Sequence, residues 1–171
     1  VIGSSTKLNL ATTQVFRDAS AWLHIVCVYD SGNAIESERA RIYVNGSRVT
    51  DFGTSTYPST QGQDSMKNHT VKQSIGRRNQ DSSKYMDGYM AEIVLLDGTA
   101  TDCTSFGEFN SSGIWIPKDV SGLTFGTNGF HIKGESASDL GNDSSSNNND
   151  FTTSGLASHD QVSDSPSNNF C

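Results

Sequence analysis

The stretch Ala21 to Asp30, AWLHIVCVYD, decides the fold class. Its two alternating sets are Trp22, His24, Val26, Val28 and Leu23, Ile25, Cys27, Tyr29. Both sets are largely apolar, the pattern of a central strand covered on both faces. Downstream, Arg39 to Val49 (RARIYVNGSRV) alternates Ala40, Ile42 and Val44 with Arg41, Tyr43 and Asn45. Asn45-Gly46 then supplies the residues that a type I′ hairpin turn requires at positive φ.

Further strands are expected on either side. Thr6 to Leu10 alternates loosely, and Gln14-Val15-Phe16 follows a polar break. Asp51 to Thr70, with Tyr57-Pro58, reads as a long polar loop, and Val71 to Arg77 as a short strand. Asp87-Gly88 leads into a strand over Tyr89 to Leu96, closed by Asp97-Gly98. Thr101 to Phe109 is expected to hold one helical turn capped by Thr101 or Asp102. Two last strands are expected at Gly113 to Ile116 and Gly129 to Lys133. Many short strands divided by turn residues indicate an all-β, antiparallel two-sheet sandwich.

Composition agrees. The 171 residues are 33% hydrophobic and only 18% charged, and glycine and small polar residues are abundant. Past Lys133 the pattern changes: Asp139 to Asp150 is DLGNDSSSNNND, too polar to fold alone. The expected division is a sandwich over residues 1–135 and a polar extension over 136–171, which either wraps the sandwich or leads to a further domain. A formal net charge of −7 opposes binding to phosphate backbones. No apolar run approaches the ~20 residues of a membrane-spanning helix, and no signal peptide is visible at Val1-Ile2-Gly3-Ser4-Ser5. Cys27 reads as a small core residue, and Cys27, Cys103 and Cys171 share no metal-ligand spacing.

The order AWLHIVCVYD, RIYVNGSRV, SIGRR and MDGYMAEIVLLDG, spanning about Phe16 to Phe106, resembles the concanavalin A-like lectin and laminin G-like pattern. That resemblance implies a concanavalin A-like jelly roll in a family that holds both lectins and glucanases. The runs VFRDASAWLHIVCVYD, GTNGFHIK to LGNDSSSNNNDF, and DQVSDSPSNNF resemble tail-fibre or virion-surface proteins of marine bacteriophages. This narrower likeness implies a piece of a longer polypeptide, incomplete at its N-terminus.

Catalytic signatures are thin. Glycoside hydrolysis uses two carboxyl groups about 5 Å apart, or roughly 6.5–9.5 Å apart. On the strand carrying Glu92, the same-face positions are Val94 and Leu96, so the second acid is missing and Glu92 reads as a loop anchor. There is no G-x-S-x-G elbow, and His24, His69, His131 and His159 share no motif.

Binding candidates lie in the loops. Tyr57, Tyr85 and Asn79 can stack on and hydrogen-bond a saccharide, while Arg77 and Arg78 can read an acidic sugar. Trp22 and His24 share a strand face, but core packing for the one and a carbonyl cap for the other is the simpler reading. Asp139, Asn142, Asp143 and Asp150 offer oxygen ligands for calcium by composition alone, without EF-hand spacing. Laminin G-like domains often carry calcium at a loop rim.

The function expected is a non-catalytic virion-surface module (phage fibre, spike or capsid decoration) that attaches to host cell-surface glycans. The alternatives are a structural spacer that assembles with other virion proteins or copies of itself, and, third, a glycanase. No nucleic acid partner and no membrane insertion are expected.

Overall fold

Alternation and turn chemistry set the strands. In chain order they are β1 (Asn9–Thr12), β2 (Ile25–Tyr29), β3 (Ala40–Val44), β4 (Ser47–Arg48), β5 (Phe52–Thr56), β6 (Ile93–Leu95), β7 (Gly107–Phe109), β8 (Trp115–Pro117) and β9 (Phe130–Ile132). The computed structural model describes residues 7–18, 20–65, 72–78, 84–162 and Pro166. Among the described residues every ladder is antiparallel: β1 with β5, β2–β3–β4 in that order, β6 with β9, and β7 with β8. The only helical turns among the described residues are short 3-10 turns, so the all-β class holds. None is long and apolar enough to cross a membrane.

The chain divides into two compact units, the first of residues 1–64 and 100–120, the second of residues 65–99 and 121–171. In the first, Asn45 and Gly46 turn the β3–β4 hairpin at φ values of 46° and 78°, both positive as a type I′ turn requires. Val26 faces Tyr43 and Val28 faces Arg41 across the β2–β3 ladder. The two valines are buried with Cys103, and Tyr43, Phe106 and Trp115 pack against them. Trp115 fits because two glycines face it. A Cβ on Gly46 would stand 2.2 Å from its ring, and one on Gly107 would stand 2.5 Å away. Asp102 caps the 3-10 turn Cys103–Ser105 by accepting from the Thr104 amide at 2.9 Å, as expected.

The first unit also corrects several expectations. β2 is covered on one side only, since Ile25 is 54% exposed and Cys27 is exposed. The core cysteine is Cys103, and the core tryptophan is Trp115; Trp22 is half-buried outside that cluster. The supposed loop after Asp51 contains β5, whose Gly-Thr-Ser-Thr residues are all exposed and which pairs with β1 across a register shift between Ala11 and Thr12. Its Thr residues suit a strand by shape, yet a strand without a buried face shows no apolar alternation. The β1 ladder lies at Asn9–Thr12 rather than Thr6–Leu10, and Gln14 to Phe16 is irregular.

The second unit is built on β6 and β9, with Val94 opposite His131. β6 begins only at Ile93, because Glu92 takes a φ of 53°, a left-handed backbone that ends any extended run from Tyr89. Lys72 to Arg77 is irregular, whereas a strand was expected there, and Val71 lies outside the described residues. The Asn-rich segment is no free linker. An Ile132–Asp143 bridge and the Ser144 amide on His131 O at 2.8 Å bind it to β9, and the Phe151 amide on Gly141 O at 2.9 Å closes the segment on itself. Phe130 and Phe151 meet edge to face at 4.9 Å. The expected boundary at 135/136 therefore falls inside the second unit.

Candidate functional site

One loop surface of the second unit gathers most of the residues predicted to bind. The Met86 amide donates to Gly76 O at 2.7 Å, which fastens the segment Lys84 to Ala91 alongside Ser74-Ile75-Gly76-Arg77. Lys84 at φ 56° and Gly88 at φ 152° turn the backbone so that the stretch runs irregularly to Glu92. Its large side chains are not buried: Tyr85 is 67% and Tyr89 65% exposed, and Met86 and Met90 are also exposed. Arg77 is half-buried and Arg78 exposed. The Met86–Gly76 bond sets the backbone next to Tyr85 beside the backbone next to Arg77, with Arg78 and Tyr89 farther along the two segments. The repeated Tyr-Met of YMDGYM is the signal in the sequence that marks Tyr89. Asn79 lies outside the described residues.

Tyr57 belongs to the first unit and is half-buried. It stands within electrostatic reach of Arg48, whose pKa is raised first by its hydrogen bond to Glu38, with smaller contributions from Tyr43 and Tyr57. His24 also behaves otherwise than expected. Among the described residues its Nδ1, like Trp115 Nε1, has no hydrogen-bond partner, and its ring leans on Trp115 at 5.7 Å. Instead of a side-chain cap, the His24 backbone serves the hairpin turn: its amide donates to Asn45 Oδ1 and its carbonyl accepts from the Asn45 amide, both at 2.9 Å. Burial lowers the imidazole pKa.

The residues considered for calcium are arranged around backbone donors. Asp143 is 7% exposed. Its Oδ1 accepts from the His131 and Ser145 amides, each at 2.8 Å. Its Oδ2 accepts from Ser145 Oγ at 2.7 Å and the Asn149 amide at 2.9 Å. Burial acts to raise the pKa of this carboxyl, but these donors outweigh it, so the net shift is downward. Asp150 accepts from the Asp143 amide at 2.8 Å, while Asp139 and Asn142 are exposed. Among the described residues no group of three or more His, Cys, Asp or Glu is placed to hold a metal. With each carboxylate oxygen of Asp143 already taking two donors, this set does not fit a calcium site.

Asn147 and Asn149 complete the loop's attachment. Asn147 Nδ2 donates to Gly126 O and Gly129 O, and Asn149 Nδ2 to Thr127 O and Gly129 O, at 2.6 to 3.0 Å. The Asp-x-Ser spacing of Asp143 and Ser145 is a local signal for such an Asx turn.

Glu92 is an anchor, though its partner is a side chain. Its Oε2 stands 2.5 Å from His131 Nε2, whose side chain is 4% exposed and stacks on Phe125. Asp97, the next acid along, accepts both the amide and the Nδ2 of Asn128 at 3.1 and 2.8 Å. Both carboxylates hold the β6–β9 unit together. A left-handed Glu92 fixed to a buried histidine is a strained position held by its surroundings.

The family model described as the concanavalin A-like lectin/glucanases superfamily matches residues 2–104, which include all four sequence motifs. No curated protein and no solved structure matches the chain.

Proposed function

The chain belongs to the concanavalin A-like lectin/glucanases superfamily, and from that premise we propose that it is a non-catalytic carbohydrate-binding module whose contact surface is formed by residues 76–78 and 84–90. The observation that carries this is the pair of exposed tyrosines, Tyr85 and Tyr89, on a loop fastened beside Arg77 and Arg78. Exposed aromatic rings stack on the apolar faces of sugars, and guanidinium groups pair with carboxylates in bidentate fashion. Acidic glycans are therefore the preferred class. The acids of the β6–β9 unit serve as structural acceptors, which supports binding without hydrolysis.

The likeness of three sequence runs to marine phage fibre and surface proteins supports an extracellular setting on a virion, attaching to host envelope glycans. A second reading, assembly with copies of itself or other virion proteins, draws on the uncovered side of β2, where Ile25 and Cys27 are exposed.

The test is a glycan array probed with the chain and with Tyr85→Ala and Tyr89→Ala variants, each with calcium and with chelator. The expected result is saturable binding to acidic glycans, lost in the variants and unchanged by chelator. Clean absence of binding by a chain shown to be folded favours assembly instead.

A further inference from the structure

The first unit carries a groove of about 610 Å³, within the range of roughly 300–1,000 Å³ typical of ligand clefts. One wall is the chain from Ser47 to Asp51, which is edge strand β4 and the residues after it; the other is Thr13-Gln14 at the end of β1. The walls are tied by Thr13 Oγ1, which donates to Asp51 Oδ2 at 2.7 Å, and by the Thr13 amide on Asp51 O. Val44 and Val49 add a small apolar surface.

Several polar groups of this groove are uncommitted among the described residues. Asn45 uses Oδ1 for the His24 amide; its Nδ2, the Gln14 side-chain amide, Ser47 Oγ, Thr50 Oγ1 and Asp51 Oδ1 engage no other described residue. Donors and acceptors therefore line the groove beside a small patch of aliphatic carbon. Charge narrows the choice further. The one cation, Arg48, is held by Glu38 Oε1 at 2.7 Å, which leaves Asp51 as the uncompensated charge. An anionic ligand is repelled here, and a ligand rich in neutral hydroxyls can both donate and accept at each position.

We propose that this hairpin groove is a second binding site, specific for neutral saccharides and independent of the surface formed by residues 76–78 and 84–90. Hydroxyls of the ligand bond to Gln14, Asn45, Thr50 and Asp51, and its C–H surface rests on Val44 and Val49. Because Gln14 and Thr50 are exposed and their side chains make no internal bond, removing them leaves the fold intact.

The test uses the isotope-labelled full chain titrated with neutral gluco-, manno- and galacto-oligosaccharides, and in parallel with oligogalacturonate, up to about 10 mM, where Kd values in the millimolar range register. At least one neutral sugar is expected to shift the amide resonances of Thr13-Gln14 and Ser47 to Asp51. The double variant Gln14→Ala, Thr50→Ala is expected to weaken that binding about 5- to 10-fold, the loss of one or two net hydrogen bonds, with an unchanged melting midpoint. Tyr85→Ala should leave these shifts as they are, so a failure of the loop reading remains distinguishable from a failure of this one. No groove shift with any neutral sugar, equal shifts with oligogalacturonate, or undiminished binding by the double variant would each overturn the proposal.

Discussion

The core of the first unit and the tail of the second are held by opposite chemistry. Around Trp115, stability comes from apolar contact: Val26, Val28 and Cys103 are buried, Phe109 meets the indole edge to face at 4.9 Å, and Gly46 and Gly107 let the ring approach the backbone. Around Asp143, it comes from a carboxylate that takes four donors while two asparagines bind the carbonyls of Gly126, Thr127 and Gly129. The first tolerates polar change poorly at close contacts, and its acid-sensitive group is His24, which burial holds neutral against Trp115. The second has little apolar area and depends on one ionised group. A Ser- and Asn-rich segment is thus no guide to disorder once a buried aspartate organises it.

Crowding the aromatic region should have the largest effect. Gly107→Ala sets a Cβ within 2.5 Å of the Trp115 ring and is expected to cost about 3 kcal/mol in chemical denaturation. Asp143→Ala should cost about 2 kcal/mol, from buried donors left without an acceptor, with hydrogen-exchange protection lost mainly over residues 141–151. The same contrast can be read by pH. The Asp143 pKa is lowered in the fold, so its contribution is complete above the unfolded value of roughly 3.9 and is lost as pH falls through the folded value. Acid titration followed by NMR should therefore weaken the His24–Trp115 contact as pH falls below about 6.5 and release the 141–151 loop only below about 3.9; loss of the loop at the higher pH would contradict the division.

How far the sequence reveals this structure depends on which chemistry is in charge. The Asn45-Gly46 hairpin, the Asp102 cap and the β8 and β9 positions are legible because turn residues and apolar alternation are local signals. β5 is not, since all but its first residue are exposed, and neither is the one-sided burial of β2, because an apolar alternation looks alike whether one face is covered or two. At the candidate site, Tyr85, Arg77 and Arg78 are legible as loop residues, but their common surface depends on the Met86–Gly76 hydrogen bond, which no spacing predicts. The Glu92–His131 pair joins residues 39 positions apart and likewise has no local signature.

Smaller effects sharpen the contrast between structure and recognition. Glu92→Gln removes the charge facing His131 from a partly exposed side chain and should cost about 0.5–1 kcal/mol. A reducing-sugar assay on polysaccharide should read no turnover with or without the change; turnover abolished by Glu92→Gln would restore the glycanase reading. Tyr85→Ala, at a side chain 67% exposed, should alter stability by less than about 0.5 kcal/mol while removing acidic-glycan binding.

The most direct measurement is hydrogen exchange of the full chain with and without an acidic oligosaccharide bound at saturation. Protection centred on residues 76–90 is the predicted result. Saturable binding that protects other segments and leaves 76–90 unchanged would contradict the assignment of that loop as the recognition surface.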